Sequence, residues 1–310
     1  DSFESSSTIT LTMAMIHELR STDIPDIVQF IQELAQVDSY IESIEEAAFM
    51  SVLDQACNRG GRDFRIVRQG HRIVGALLSG RFGVLDRPQD IRAFRILVRA
   101  GEVAVAERLL RLVEAQDGEE SVTCRTVIGA SRSMGKRILL DAGYEKVQEV
   151  SVLRRASLPL SPAVLPRGFK LRDAVPEQDS ETVVRLYNIA NRRSFGFAPL
   201  TASELRETLG MPGGRLLVVE SEDGHVVGSV QTMPYFEGVG VIHAVQILPE
   251  YQGRGLGRFL IAVAMNVLAQ HGFRTIELSV DGTNDAALML YRSFSFSESS
   301  RDLVYEKHRP

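Results

Sequence analysis

The stretch that decides the reading is Gln246-Ile247-Leu248-Pro249-Glu250-Tyr251-Gln252-Gly253-Arg254-Gly255-Leu256-Gly257-Arg258. An apolar run ends at Pro249, a glycine-rich bend follows, and the chain then enters a segment with Leu256, Leu260, Val263 and Val267 at helical spacing. Strand, bend and helix therefore follow one another without a spacer. Glycines at 253, 255 and 257 allow close approach of the backbone to a ligand and turn N–H groups toward it. The first turn of a helix carries unpaired N–H donors and a partial positive charge, which together bind phosphate. Arg254 and Arg258 add cationic charge, so the segment reads as a cradle for a diphosphate.

Two common cradles do not fit. The bend lacks the Lys-Ser/Thr pair of a P-loop, and its glycines do not follow Gly-x-Gly-x-x-Gly. No acidic residue at the expected distance closes a second strand to hold a ribose.

Working outward, Arg215 to Glu220, His225 to Tyr235 and Val239 to Leu248 read as strands, the first two as a hairpin. Phe169 to Arg172 is a short strand. A helix opens at Pro176-Glu177-Gln178-Asp179, with proline and acids in the first turn, and runs to about Asn191. Thr201-Ala202-Ser203-Glu204 is a capping-box pattern for a second helix. Beyond the bend, the helix reaches about His271 and a strand spans Thr275 to Val280. A helix capped by an asparagine covers Asn284 to Phe294, and one or two strands lie in Phe296 to Lys307. The result is a mixed α/β layer structure.

The chain also reads twice. Gly70-His71-Arg72-Ile73-Val74-Gly75 is echoed by Gly224-His225-Val226-Val227-Gly228. Leu19-Arg20 pairs with Leu171-Arg172, and Ala142-Gly143-Tyr144 with Phe294-Ser295-Phe296, both at an offset of 152 residues. The expected organisation is a first copy over residues 1–156, a linker over 157–168 and a second copy over 169–310. Pro159, Pro162 and Pro166 make the linker semi-extended.

At the same offset the bend maps onto Ala100-Gly101-Glu102-Val103-Ala104-Val105. Two glycines are gone, and Glu102 puts negative charge where phosphate would lie. Val105, Leu109, Leu110 and Val113 keep a helical core face. The first copy is expected to be a structural half that has lost the site.

Composition bounds the rest. The 310 residues are 44% hydrophobic and 24% charged, enough for one large or two ordinary domains. The net charge of −5 argues against nucleic acid or an anionic membrane as the main partner. Cys57 and Cys124 make neither a disulfide framework nor a zinc cluster, so no metal is expected, and a reducing cytoplasm is the expected location. No apolar run reaches the ~20 residues a membrane span needs, and the first residues lack the character of a secretory signal.

Gln-x-x-Gly-x-Gly after a strand ending in proline, here Gln252, Gly255 and Gly257, resembles the acetyl-CoA signature of the GCN5-related N-acetyltransferases. Asn-x-x-Ala-x-x-x-Tyr one strand later, here Asn284, Ala287 and Tyr291, is similar to a second motif of that family. The resemblance covers about Phe169 to Lys307, and the duplicated layout resembles the tandem acetyltransferases of the mycothiol synthase type. It implies two tandem acyl-CoA N-acyltransferase folds, each a mixed sheet flanked by helices.

Several roles follow from the resemblance. Amides from Gln252 through Gly253, Arg254, Gly255, Leu256 and Gly257 to Arg258 would hold the diphosphate of acetyl-CoA. Val245, Gln246 and Ile247 would pair with the pantetheine, and Asn284 would contact it. Tyr291 would protonate the leaving thiolate while an amine attacks the thioester directly. The usual glutamate base is replaced by Val241, so His243, two residues on and hence on the same strand face, and Glu237 are the candidates. Arg192 and Arg193, before Phe195, are candidates for binding an acidic group. Ser295 stands where the family has glycine. The implied partner is a small-molecule or peptide amine, with the chain a monomer or homodimer. The other readings are a CoA-binding regulatory or interaction module without turnover, and an enzyme for a longer acyl donor.

Overall fold

The computed structural model describes residues 14–37, 64–81, 91–116, 121–158, 162–192, 199–209, 214–234 and 238–309. The chain divides into two compact units, residues 1–147 with 304–310, and residues 148–303. Cys57, Arg193, Phe195 and Glu237 lie outside the described residues.

The first unit contains β1 (Met15–Glu18), α1 (Ile24–Val37), β2 (Phe64–Gln69), β3 (Arg72–Arg81), β4 (Ile91–Val98), α2 (Val103–Ala115), β5 (Val122–Gly129) and α3 (Ser133–Asp141). Its strands run in the order β1-β2-β3-β4-β5. Neighbours are antiparallel except β4 and β5, which are parallel. Ile27, Phe30 and Leu34 bring α1 onto Phe64, Ile66 and Ile73. Val105, Leu109, Leu110 and Val113 are buried on α2, the core face read from the sequence.

β6 (Glu145–Ala156) begins in the first unit and continues in the second. The second unit then adds β7 (Phe169–Asp173), α4 (Pro176–Asn191), α5 (Ala202–Leu209), β8 (Arg215–Ser221), β9 (Val226–Pro234), β10 (Val239–Ile247), α6 (Leu256–Gln270), β11 (Thr275–Asp281) and α7 (Asp285–Ser293). β12 (Ser297–Arg309) is a single strand whose first residues belong to this unit and whose last belong to the first. The strand order is β6-β11-β10-β9-β8-β7, antiparallel except for β10 beside β11.

The elements repeat at the offset of the sequence echo. α3 begins 152 residues before α7 and ends 152 before its end, and the same shift brings β6 onto β12 within a residue. The duplication is therefore one of structure as well as of motif.

Two helical layers sandwich the second sheet. On one face α6 packs Leu256, Leu260, Ile261 and Met265, all fully buried, against Leu217, Val219, Val230, Ile242 and Leu278. Each such side chain contributes about 1.5–3 kcal/mol by leaving water. α6 is buried over more than the single stripe that its spacing predicts, because Phe259, Ala262, Ala264 and Leu268 are buried too. On the other face Val183, Val184 and Leu205 of α4 and α5 cover Leu216 and Val218.

The start of α4 is fixed electrostatically. Val175, at the cap position, offers no side-chain oxygen, and Asp179 accepts from its amide at 2.7 Å. Arg172 grips the same carboxylate through two nitrogens at 2.6 and 2.9 Å. Hydrogen bonding from Arg172 outweighs burial and holds the Asp179 pKa below the ordinary carboxylate value. No helix among the described residues is long and apolar enough to cross a membrane.

Candidate functional site

The site begins with a strand that loses one neighbour. β10 pairs with β9 from Gly240 to Ile247, but with β11 only from Val239 to Val241, opposite Thr275 to Glu277. β11 continues alongside β6 as far as Asp281. Past Val241 the two parallel strands part, and the edge of β10 bearing Val245, Gln246 and Ile247 has no strand beside it among the described residues. A free edge of this kind accepts an extended chain that carries amides.

The parting coincides with a bulge. Ile242 stands opposite Thr232 and Ala244 opposite Gln231, so His243 has no partner on β9. Extra residues of this sort bend and twist their strand. They also reset its alternation, since Ile242 packs in the α6 core and so do Val245 and Ile247, at odd spacing. His243 is the bulged residue rather than a regular member of the Val241 face that simple alternation predicts.

The bend lies at the end of the freed edge. Pro249–Tyr251 forms a 3₁₀ turn, in which the Tyr251 amide donates to Leu248 O at 2.9 Å and Gln252 to Pro249 O at 3.2 Å. Gly253 at φ 73° and Gly255 at φ 84° then take left-handed conformations, which only glycine adopts without strain. The first amide of α6 with a backbone acceptor is that of Phe259, donating to Gly255 O at 3.0 Å. The amides of Gly253 to Arg258 have no backbone acceptor among the described residues. No acid lies in the first turn of α6, so its dipole acts unopposed. The bend thus presents donors and a dipole that suit an anion.

Gly257 differs in backbone from the other two glycines. Its backbone is helical, not left-handed. A Cβ there would lie 3.4 Å from Leu290 Cδ2 and 3.5 Å from Ile247 Cδ1, ordinary contact distances, so α6 approaches α7 and β10 closely at this glycine without requiring it. Gln252 Nε2 donates to Ile247 O at 3.2 Å, tying the bend to the strand end. The two arginines are exposed and anchored. Arg254 donates to Glu250 O at 3.0 Å and lies over the Tyr251 ring, and Arg258 donates to Ser293 Oγ at 2.9 Å and lies over Phe294.

Asn284 caps α7 through Oδ1, which accepts from the Ala287 amide at 3.1 Å. Its Nδ2 makes no hydrogen bond among the described residues. Tyr291, on the same helix, packs at the margin of the α6 core and meets Phe296 edge to face at 6.1 Å. Burial raises its phenol pKa, so the proton stays on oxygen through the neutral range. His243 is reached by solvent, yet surrounding protein disfavours its cation and lowers its pKa below the ordinary imidazole value. Its neutral form, which accepts a proton, therefore predominates at pH 7.

Arg192 is exposed and lines an open cavity along α4 with Glu181, Val184, Arg185, Asn188 and Ile189. Missing from the sequence reading is a buried polar row on β9, where Ser229 donates to Gln246 Oε1 at 2.7 Å and Gln231 follows two residues on. The signal was available as polar residues alternating through an otherwise apolar strand. In the first unit β4 likewise pairs with β5 only over Ile91 to Phe94, and Gly101 keeps a positive φ of 88°. Glu102 occupies the N-cap position of α2 without a side-chain cap bond, and Leu139 is buried at the place of Tyr291.

Residues 182–296 match the acetyltransferase (GNAT) family. A mycothiol acetyltransferase of Kytococcus sedentarius is 36% identical over 155 residues, 47% of this chain and 51%, about half, of that protein. One from Actinosynnema mirum is 30% identical over 225 residues, 65% of this chain and 74% of the relative. Among solved structures, a GCN5-related N-acetyltransferase from Sphaerobacter thermophilus superposes with a TM-score of 0.77 at 22% identity, covering 96% of each chain. A tandem GNAT protein from the clavulanic acid biosynthesis pathway gives 0.73 at 15% identity, over 96% of this chain and 99% of that one. These two likenesses establish the fold.

Proposed function

This chain belongs to the acetyltransferase (GNAT) family, and we propose that it moves an acetyl group from acetyl-CoA to a primary amine at a site in its second half. The carrying observation is the freed β10 edge at Val245–Ile247 running into a bend whose amides from Gly253 to Arg258 are unclaimed. The amides of the bend fit a diphosphate and the strand edge fits the amides of a pantetheine arm, so the residues present suit this donor.

Acetyl-CoA supplies an activated thioester carbonyl. The bend binds and orients the diphosphate, with Arg254 and Arg258 adding charge at its margin. An N–H on the β10 edge polarises the carbonyl oxygen, where negative charge develops on attack. Asn284 offers Nδ2 to the pantetheine arm. His243 in its neutral form takes the proton from the amine, and Tyr291 gives its phenolic proton to the departing sulfur. No covalent intermediate with the protein is needed.

The relatives' name favours a small-molecule acceptor over a peptide N-terminus. In this reading the first copy, residues 1–156, serves structure, and the second copy, residues 169–310, carries the chemistry. One observation favours a CoA-binding module without turnover, namely Val241 in place of a carboxylate base. Calorimetric titration with acetyl-CoA, together with thiol release measured against a panel of primary amines, separates the readings. Heat of binding with amine-stimulated thiol release supports transfer. Binding without stimulated release supports the module, and absence of binding removes both.

A further inference from the structure

Gln231 is 5% exposed, and its Nε2 has no hydrogen-bond acceptor among the described residues. A buried amide nitrogen without a partner is costly, and such groups point to an absent ligand or a strained site. Its surroundings specify which ligand. Gln231 stands opposite Ala244, next to the bulged His243, and opposite Leu216 on its other side. Ser229, two residues away, shares its face and bonds to Gln246. That face is the one α4 and α5 cover, since Leu216 packs with Val183, Val184 and Leu205.

The donor and Gln231 therefore approach β10 from different sides. The free edge at Val245–Ile247 lies on the β11 side of β10, whereas Gln231 belongs to β9 on the other. Resting on the acetyl-transfer reading above, we propose that Gln231 Nε2 donates a hydrogen bond to an oxygen of the amine substrate, so that the acceptor is an amine bearing a hydroxyl or carbonyl group close to its nitrogen. The Ser229–Gln246 bond fixes the neighbouring row, which leaves Gln231 as the polar group available on this stretch of β9. An aliphatic amine of the same size would leave the nitrogen unpaired and would be discriminated against for that reason.

The experiment uses the full chain, with Gln231→Met and Gln231→Glu as variants. Thiol release is measured with matched amines differing in oxygen, ethanolamine against propylamine and glucosamine against cyclohexylamine. The unvaried protein is expected to prefer the oxygenated member of a pair by about tenfold or more in kcat/KM. Gln231→Met should abolish that preference while leaving KM for acetyl-CoA unchanged. Its ligand-free thermal midpoint should hold or rise by about 2–4 °C, because an unpaired polar group is removed. Gln231→Glu, which keeps the size and loses the donors when ionised, should also lose the preference. A preference retained in both variants overturns the proposal. So does a midpoint several degrees lower for Gln231→Met, which would reveal an internal partner for the amide. Failure of the unvaried protein to transfer to any amine, despite binding acetyl-CoA, sinks the acetyl-transfer reading and this one with it. It is distinguished from failure of the Gln231 proposal alone, in which transfer proceeds without regard to oxygen.

Discussion

The side chain of Gln252 reaches back to the end of its own strand, Nε2 donating to the Ile247 carbonyl at 3.2 Å. The bond joins the start of the bend to the end of the strand whose edge is free. Gln252→Ala removes one net hydrogen bond of about 0.5–1.5 kcal/mol. The expected outcome is a rise of about 2- to 12-fold in the acetyl-CoA dissociation constant by calorimetry. An unchanged constant would show that the bend holds its shape without this tie.

Gly255 and Gly257 should respond in opposite ways. Gly255 sits at φ 84°, so alanine there costs about 1–2 kcal/mol of backbone strain, and glutamate adds bulk and a repelling charge. Gly255→Glu should abolish acetyl-CoA binding. Gly257→Ala places its Cβ at ordinary contact distance from Leu290 and Ile247 and should keep binding within a fewfold. Titration of both variants, with thermal melts as a control, tests the contrast.

Tyr291→Phe deletes only a hydroxyl, and the Phe296 contact is made by the ring. Acetyl-CoA affinity and melting temperature should stay near the original values while kcat drops by about 10²-fold or more. Full activity in this variant across the pH range would remove Tyr291 from the acid role.

The pH profile carries a sign. The His243 pKa is lowered, so its proton-accepting form is lost only below the ordinary imidazole range. kcat/KM should rise with pH through a midpoint below about 6.5 and then level, with the Tyr291 limb appearing only above about 10. His243→Ala should erase the acidic limb. Persistence of that limb in the variant would assign it to another group.

How much of this was legible in the chain can be seen at particular residues. The strands and helices around the bend follow period and capping, and Asn284 caps α7 as its side chain predicts. Gly253 and Gly255 need the left-handed region that a glycine pair in a bend announces. The bulge at His243 was not legible, because alternation along Val241, His243 and Val245 looks regular until the pairing with β9 is known. That Gly257 is helical and lies beside Leu290 was not legible either, since that neighbour is distant in sequence. Gln231 was overlooked because a polar residue in a strand ordinarily faces water, and the layer that covers it comes from α4 and α5.

Ser295 offers the last test. It has φ 63°, the one non-glycine residue with positive φ among the described residues, and its counterpart Gly143 holds φ 83°. Ser295→Gly should stabilise the protein by about 1 kcal/mol in denaturant titrations, since left-handed geometry penalises a Cβ. A loss of stability would mean that the hydroxyl is more valuable than the relief.

β6 ends the first sequence repeat at Ala156, yet from Val150 onward it is zipped along β11 inside the second compact unit. The boundary of the sequence repeat and the boundary of the compact units are thus out of phase. Cutting this polypeptide at the repeat boundary would strip an interior strand from the half that bears the bend.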